Sequence, residues 1–199
     1  MVLASASPRR RELLASLGLA FRVRAPGVDE SPRPGEDPRR LVRRLAVAKA
    51  AAYAGAGELV LAADTVVVLG AEMLGKPRDR DDARRMLALI AGREHVVLTG
   101  VALRGPARSG VEDGAGGERC AAAVASSRVR MAPMNGEEIE WYVATGEPLD
   151  KAGSYAVQGL GALFVEAVRG NYTNVVGLPL PTTYRLFAAL GHDLRRFIA

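Results

Sequence analysis

Cysteine, histidine, lysine and aromatic side chains are all scarce in this chain, and each scarcity removes a class of function. A lone cysteine, Cys120, supports neither a disulfide framework nor a clustered thiolate metal site. The two histidines, His95 and His192, stand in no metal-ligand or triad spacing and read as structural. Aromatic residues are 5% of the chain and do not interleave with the arginines, so a base-stacking platform for nucleic acid is poorly supplied. No uninterrupted block of five or six basic residues is present either. The net charge of +5 therefore points to a solvated surface or a pocket for a small polyanion, not to a nucleic-acid polymer. No apolar run approaches the roughly 18 residues of a membrane span. No signal peptide is expected, because the first strand-like run meets proline and arginines by position 8. A cytoplasmic enzyme or binding protein is the default expectation.

The shortage of lysine is the most specific of these. Of 27 basic residues only Lys49, Lys76 and Lys151 are lysine. Lysine is a compact, rotatable ammonium and arginine a rigid planar fork, so a lysine kept amid so much arginine marks a candidate site for a point charge. The alternative is that a compositional bias leaves a few lysines anywhere.

What is present is an α/β pattern. With 199 residues, 49% hydrophobic and 25% charged, the chain has enough apolar surface for one sizeable core or two closely joined lobes. Val2–Ala4 predicts a short buried strand, and Ser7-Pro8 opens a helix that Gly18 stops. Phe21–Arg24 alternates like a strand. Asp37-Pro38 supplies an N-cap and a first-turn proline for a helix to about Tyr53. Leu59–Leu69 predicts an apolar strand, 70–75 a turn, and 79–91 a helix. Strands follow at 95–103 and 120–131, a helix at 137–144, a strand at 164–168 and a closing helix at 180–190. Residues 105–119 are glycine-rich and aperiodic, a flexible hairpin insertion rather than a domain boundary. Strands alternating with helices, plus a hairpin, indicate a mixed sheet.

Several residues carry chemistry. Arg9, Arg10 and Arg11 fall in the first turn of the first helix, at the positive pole of its dipole. Backbone amides and arginine forks there make a phosphate site; the alternative is that all three point into solvent. Lys49 falls inside the apolar arc of Leu41, Val42, Leu45, Ala48, Ala52 and Tyr53. An ammonium on that face needs a partner or a water-filled cleft, unless it snorkels outward. Asp64 interrupts the apolar run Leu61–Val68, which makes it a candidate acid/base or metal-binding carboxylate or a structural partner for arginine. Gln158, among Gly153, Gly159 and Gly161, could read a base edge.

These pieces resemble one family, the Maf-like nucleoside triphosphate pyrophosphatases. The matching segments, in order, are LASASPRRRELL (3–14), LAVAKA (45–50), AADTVV (62–67), GKPRD (75–79), EPLDKAGSYAVQGLG (147–161) and NYTNVVGLPL (171–180). The resemblance implies one domain over 1–199, an elongated mixed sheet with flanking helices in two lobes around a deep cleft, and a homodimer. It implies hydrolysis of a nucleoside triphosphate to the monophosphate and pyrophosphate. By the same resemblance Asp64 would be the catalytic base, and Ser5, Arg10, Lys49 and Lys76 would line the triphosphate site. Arg9, Thr65 and Gln158 would fall at positions associated with substrate choice, and the combination of Arg9, Lys76 and Gln158 resembles the dTTP/UTP branch rather than the 7-methyl-GTP branch. A divalent cation, Mg²⁺ or Mn²⁺, would bridge phosphate oxygens near Asp64 and Glu30, although Asp29 and Glu30 also read as an exposed acidic loop. The alternative functions are a 7-methyl-GTP-type pyrophosphatase of the same family or a non-catalytic nucleotide-binding regulator of septum formation.

Overall fold

The computed structural model describes residues 1–53, 57–106 and 118–198. Most of the expected hairpin insertion, residues 107–117, lies outside them. Seven strands form one mixed sheet in the order β2-β1-β3-β5-β6-β7, with β4 paired to β3. The strands are β1 (Val2–Ala4), β2 (Arg22–Arg24), β3 (Val60–Leu69), β4 (Glu72–Leu74), β5 (Glu94–Pro106), β6 (Glu118–Met131) and β7 (Val165–Arg169). The helices are α1 (Pro8–Ala15), α2 (Pro38–Ala51), α3 (Arg80–Ile90), α4 (Gly136–Ala144), α5 (Tyr172–Val176) and α6 (Leu180–Ala189). The α/β class and the mixed sheet expected from the sequence are both present.

The contacts divide the chain into two compact units. The first comprises Met1–Asp64, Thr99–Ala125 and Gly177–Ala199. Here β1 pairs in parallel with both β2 and β3, Leu3 standing opposite Val23 and Leu61. One core gathers Leu3, Leu14, Leu61, Leu103, Leu178 and Phe187. Another, built from small side chains, joins Val2 and Ala4 to Ala46, Ala50, Val60 and Ala62. Small residues let α2 lie close on the strands, and this sets the depth at which its inward face carries Lys49. Asp37 caps α2, its carboxylate accepting the Arg39 and Arg40 amides at 3.0 and 3.1 Å. That satisfies donors an uncapped helix start would leave open.

The second unit comprises Thr65–Leu98 and Ser126–Val176. Its core includes Val67, Leu74, Met86, Leu87, Ile90, Met131, Tyr142 and Phe164. Asn135 and Glu138 form a reciprocal capping box at the start of α4. His95 is buried, with Nε2 2.8 Å from the Tyr155 hydroxyl. Burial lowers it to about 4, so it is neutral near pH 7.

Three expectations need correction. The turn expected at 70–75 contains β4, which returns antiparallel against Val67–Leu69. Only its first residue, Glu72, is polar and exposed, and three residues are too few for an alternating pattern to show. Ser7 occupies the N-cap position of α1, but its side chain makes no cap hydrogen bond; instead its amide donates to the Ser5 hydroxyl at 3.2 Å. The short helix α5 and the 3-10 turns between 147 and 164 are too brief for hydrophobic periodicity to signal.

Candidate active site

The apolar arc of α2 turns its one ammonium onto β3. Lys49 is buried with Leu41, Leu45, Ala46 and Ala50, and it does not snorkel outward. Its Nζ donates to Asp64 Oδ1 at 2.7 Å and lies 2.8 Å from Glu30 Oε1. Asp64 is 8% exposed, so the carboxylate that interrupts the apolar strand is buried, and it is paired with lysine. Removing one member of such a pair leaves a buried charge uncompensated, at a cost of about 3–5 kcal/mol, whereas apolar replacement of both members is often neutral.

Arg10 braces the same spot. It alone of the three first-turn arginines is buried; Arg9 is half-buried and Arg11 exposed. The Arg10 Nη1 donates to the Ala63 carbonyl at 2.7 Å and to the Ser5 hydroxyl at 3.1 Å, and its Nε donates to the Gly177 carbonyl at 2.8 Å. Thus the guanidinium grips the peptide just before Asp64 and links β1, β3 and the start of the 177–180 segment. Burial lowers its pKa, and the charges of Asp64 and Glu30 oppose that shift. Arg10 does not point into solvent, and its hydrogen bonds include two backbone carbonyls and the Ser5 hydroxyl.

Glu30 sits on a loop that sequence reasoning left unsupported. The Asp29 carboxylate accepts the Ser31 amide at 2.9 Å. Arg44 holds both carboxylate oxygens of Glu36 at 2.7 Å and donates to the Ser31 carbonyl at 3.1 Å. Hydrogen bonds from Arg44, then from the Arg33 amide, hold Glu36 down to about 2. The bidentate fork, the strongest geometry open to arginine and carboxylate, anchors the loop to α2. Nothing in the spacing of Glu36 and Arg44 distinguishes them from solvated charges, so this clamp was missed.

Asp64 and Glu30 are the carboxylates that could hold a cation. Among the described residues no group of three or more His, Cys, Asp or Glu stands close enough to bind a metal. Both carboxylates already hold the Lys49 ammonium, so a Mg²⁺ or Mn²⁺ ion there would need to draw its remaining ligands from phosphate and water, rather than from an all-protein cage.

Thr65, Lys76 and Gln158 belong to the second unit. Thr65 is half-buried on β3, while Lys76 and Gln158 are exposed on loops. The Gly153 amide donates to the Gly75 carbonyl at 3.0 Å, tying together the loops that carry Lys76 and Gln158. Gly153 has φ +70, and a Cβ there would press on Val67, so only glycine fits the crossing. The next residue, Ser154, is buried with φ +58 and is the one non-glycine with positive φ among the described residues. Lys151 Nζ donates to its neighbour Asp150 at 2.6 Å and to the Glu147 carbonyl; it closes its own loop. The first unit therefore gathers Ser5, Arg10, Glu30, Lys49 and Asp64, and the second holds Thr65, Lys76 and Gln158.

This geometry coincides with a sequence match. The profile of the Maf-like protein family matches residues 1–190. The chain belongs to the Maf-like family. A dTTP/UTP pyrophosphatase of Anaeromyxobacter sp. (strain Fw109-5) is 56% identical over 194 residues, spanning 98% of this Maf-like chain and 91% of that protein. Proteins of the same name from Myxococcus xanthus (strain DK1622) and Symbiobacterium thermophilum are 48% and 46% identical, each over 98% of this chain and 94% and 95% of their own lengths. All six segments that carry the resemblance fall within the Maf-like match.

Proposed function

We propose that this chain hydrolyses dTTP and UTP between the α- and β-phosphates, releasing the nucleoside monophosphate and pyrophosphate. The observation that carries this reading is the buried Asp64 carboxylate, held 2.7 Å from the only ammonium on α2 and braced through Ala63 by Arg10. Such a carboxylate can accept a proton from water at a fixed position. The water oxygen forms a bond to the α-phosphorus, the bridging α–β bond breaks, and pyrophosphate leaves with the bridging oxygen. Positioning and charge neutralisation do most of this work. Lys49 and Lys76 would neutralise the polyphosphate, with Ser5 and Arg10 shaping the backbone around it. Arg9, Thr65 and Gln158 would select the base and sugar.

Asp64 and Glu30 would hold a Mg²⁺ or Mn²⁺ ion, which when bound supplies electrophilic stabilisation of the phosphate oxygens. The chain acts as a single Maf-like domain, as a homodimer, in the cytoplasm. No helix of the described residues is long and apolar enough to cross a membrane.

Purified protein with Mg²⁺ or Mn²⁺ is expected to release pyrophosphate, and not phosphate, from dTTP and UTP. Failure to turn over any nucleotide in a panel, with tight binding retained, would favour the regulatory alternative; preference for 7-methyl-GTP would favour the other branch. Asp64→Asn is expected to lower kcat by on the order of 10²-fold or more. Near-normal turnover by that variant would remove Asp64 as the base.

A further inference from the structure

The half-buried carboxylate of Glu147 has no part in the chemistry above, yet three donors converge on it. Its Oε1 accepts the Tyr142 hydroxyl at 2.8 Å and the Gly161 amide at 2.9 Å, and its Oε2 accepts the Leu160 amide at 3.0 Å. Burial alone would raise this carboxyl, but the Gly161 and Leu160 amides, the Tyr142 hydroxyl and the Lys151 charge together hold it below the usual range. The Tyr142 hydroxyl in turn accepts the Ala156 amide at 3.1 Å. Both ends of the segment 156–161 are thus fastened to one pair of side chains, with Gln158 in the span. The approach is close enough to require glycine. At Gly159, with φ +66, a Cβ would overlap the Glu147 carboxylate, and at Gly161 it would overlap the Tyr142 hydroxyl. Gln158 itself opens the 3-10 turn Gly159–Phe164 without using its side chain as a cap, so the amide group projects from a backbone that Glu147 fixes.

We infer that Glu147 is a positioning residue for base selection: it holds the Gly159–Gly161 backbone, and through it Gln158, in the conformation that reads the nucleobase. The inference rests on the reading of Gln158 as a base-selecting residue. A carboxylate is required because it only accepts. The glutamine amide at this position would present an NH₂ to at least one of the three converging donors.

The test compares E147Q, Y142F, Q158A and the E147Q/Q158A double variant. The readout is the ratio of kcat/KM for dTTP to that for dGTP, together with amide hydrogen exchange at Leu160 and Gly161. E147Q is expected to lower the dTTP preference roughly tenfold, the scale of one hydrogen bond to substrate. The loss should fall mainly in KM for dTTP, with faster exchange at both amides. Y142F, which removes one of the donors, should give a smaller loss in the same direction. The double variant should discriminate no worse than Q158A alone, because both changes act through one contact. A merely structural Glu147 would depress turnover of both nucleotides together and leave the ratio unmoved. If E147Q and Y142F keep wild-type discrimination while Q158A loses it, the inference is wrong and the reading of Gln158 stands. If Q158A keeps wild-type discrimination, that reading falls and the inference falls with it. Should E147Q not fold, Y142F and the exchange measurement decide the matter on the same criteria.

Discussion

Lys49 occupies a place that the chain's favoured cation could not fill. Its Nζ stands between Asp64 Oδ1 and Glu30 Oε1 at 2.7 and 2.8 Å, as a single compact point charge serving both carboxylates. Lys49→Arg preserves charge and is conservative by name, but the guanidinium is broader and its donors are fixed in a plane. The variant is expected to fold and to lose roughly 10²-fold in kcat/KM, the cost of displacing a catalytic group by about 1 Å. Steady-state kinetics on dTTP with circular dichroism as the folding control would check this; full activity would show that the site needs only a positive charge. The three scarce lysines differ in surroundings: Lys49 is buried between two carboxylates, Lys76 is exposed on a loop, and Lys151 ties its own loop. One compositional signal covered three different roles, because composition reports residue type and not surroundings. The partners of Arg10 were not legible at all. Backbone carbonyls of Ala63 and Gly177 leave no mark in a sequence, and a buried arginine that donates to such acceptors looks the same on paper as a solvated one.

At the scale of elements, periodicity located α2 and β3 and so predicted the inward placement of Lys49 and Asp64. It could not say how closely the elements approach. That distance is set by Gly100 on β5, where a Cβ would overlap the Val42 carbonyl and the Arg43 amide of α2. Neither partner is a flexible side chain, so the overlap cannot be relieved by a rotamer change. Gly100→Ala is expected to cost about 3 kcal/mol, the upper end for overpacking a close contact, and to lift α2 from the strand. Because α2 carries Lys49, activity should fall further than stability alone explains at temperatures where the variant remains folded. Denaturant titration paired with dTTP hydrolysis at low temperature would test both parts. An unchanged midpoint would mean that α2 yields without cost. The elements the sequence missed, β4 and α5, are three and five residues long. Each is fixed by what it packs against, β4 by antiparallel pairing to β3, so a short window of the chain could not reveal it.

For the molecule as a whole, the arginine bias and the positive net charge suggest affinity for polyanions, and the arrangement of the charges limits which ones. Many arginines are spent locally: Arg22 on Glu58, Arg44 on Glu36, Arg84 on Asp81 and Glu140, Arg85 on Glu72 and Asp82, and Arg195 on Asp193. Most of these pairs are exposed and contribute little to stability. Their effect on recognition is larger, since a cation already beside a carboxylate releases little counterion charge on meeting a phosphate backbone. A nucleic-acid interface needs a stripe of cations not so occupied, and polymer affinity grows with the number of phosphates neutralised. The expected result is therefore negligible binding of single-stranded RNA at about 0.15 M salt, measured by fluorescence anisotropy with a labelled oligonucleotide, under conditions where dTTP is hydrolysed. Any residual binding at low salt should show a shallow dependence on salt, corresponding to about one or two phosphate contacts. A slope of several contacts, or competition between RNA and dTTP hydrolysis at physiological salt, would mean that the cations act together despite their partners. It would also replace the small-polyanion pocket with a polymer-binding surface as the meaning of this chain's charge.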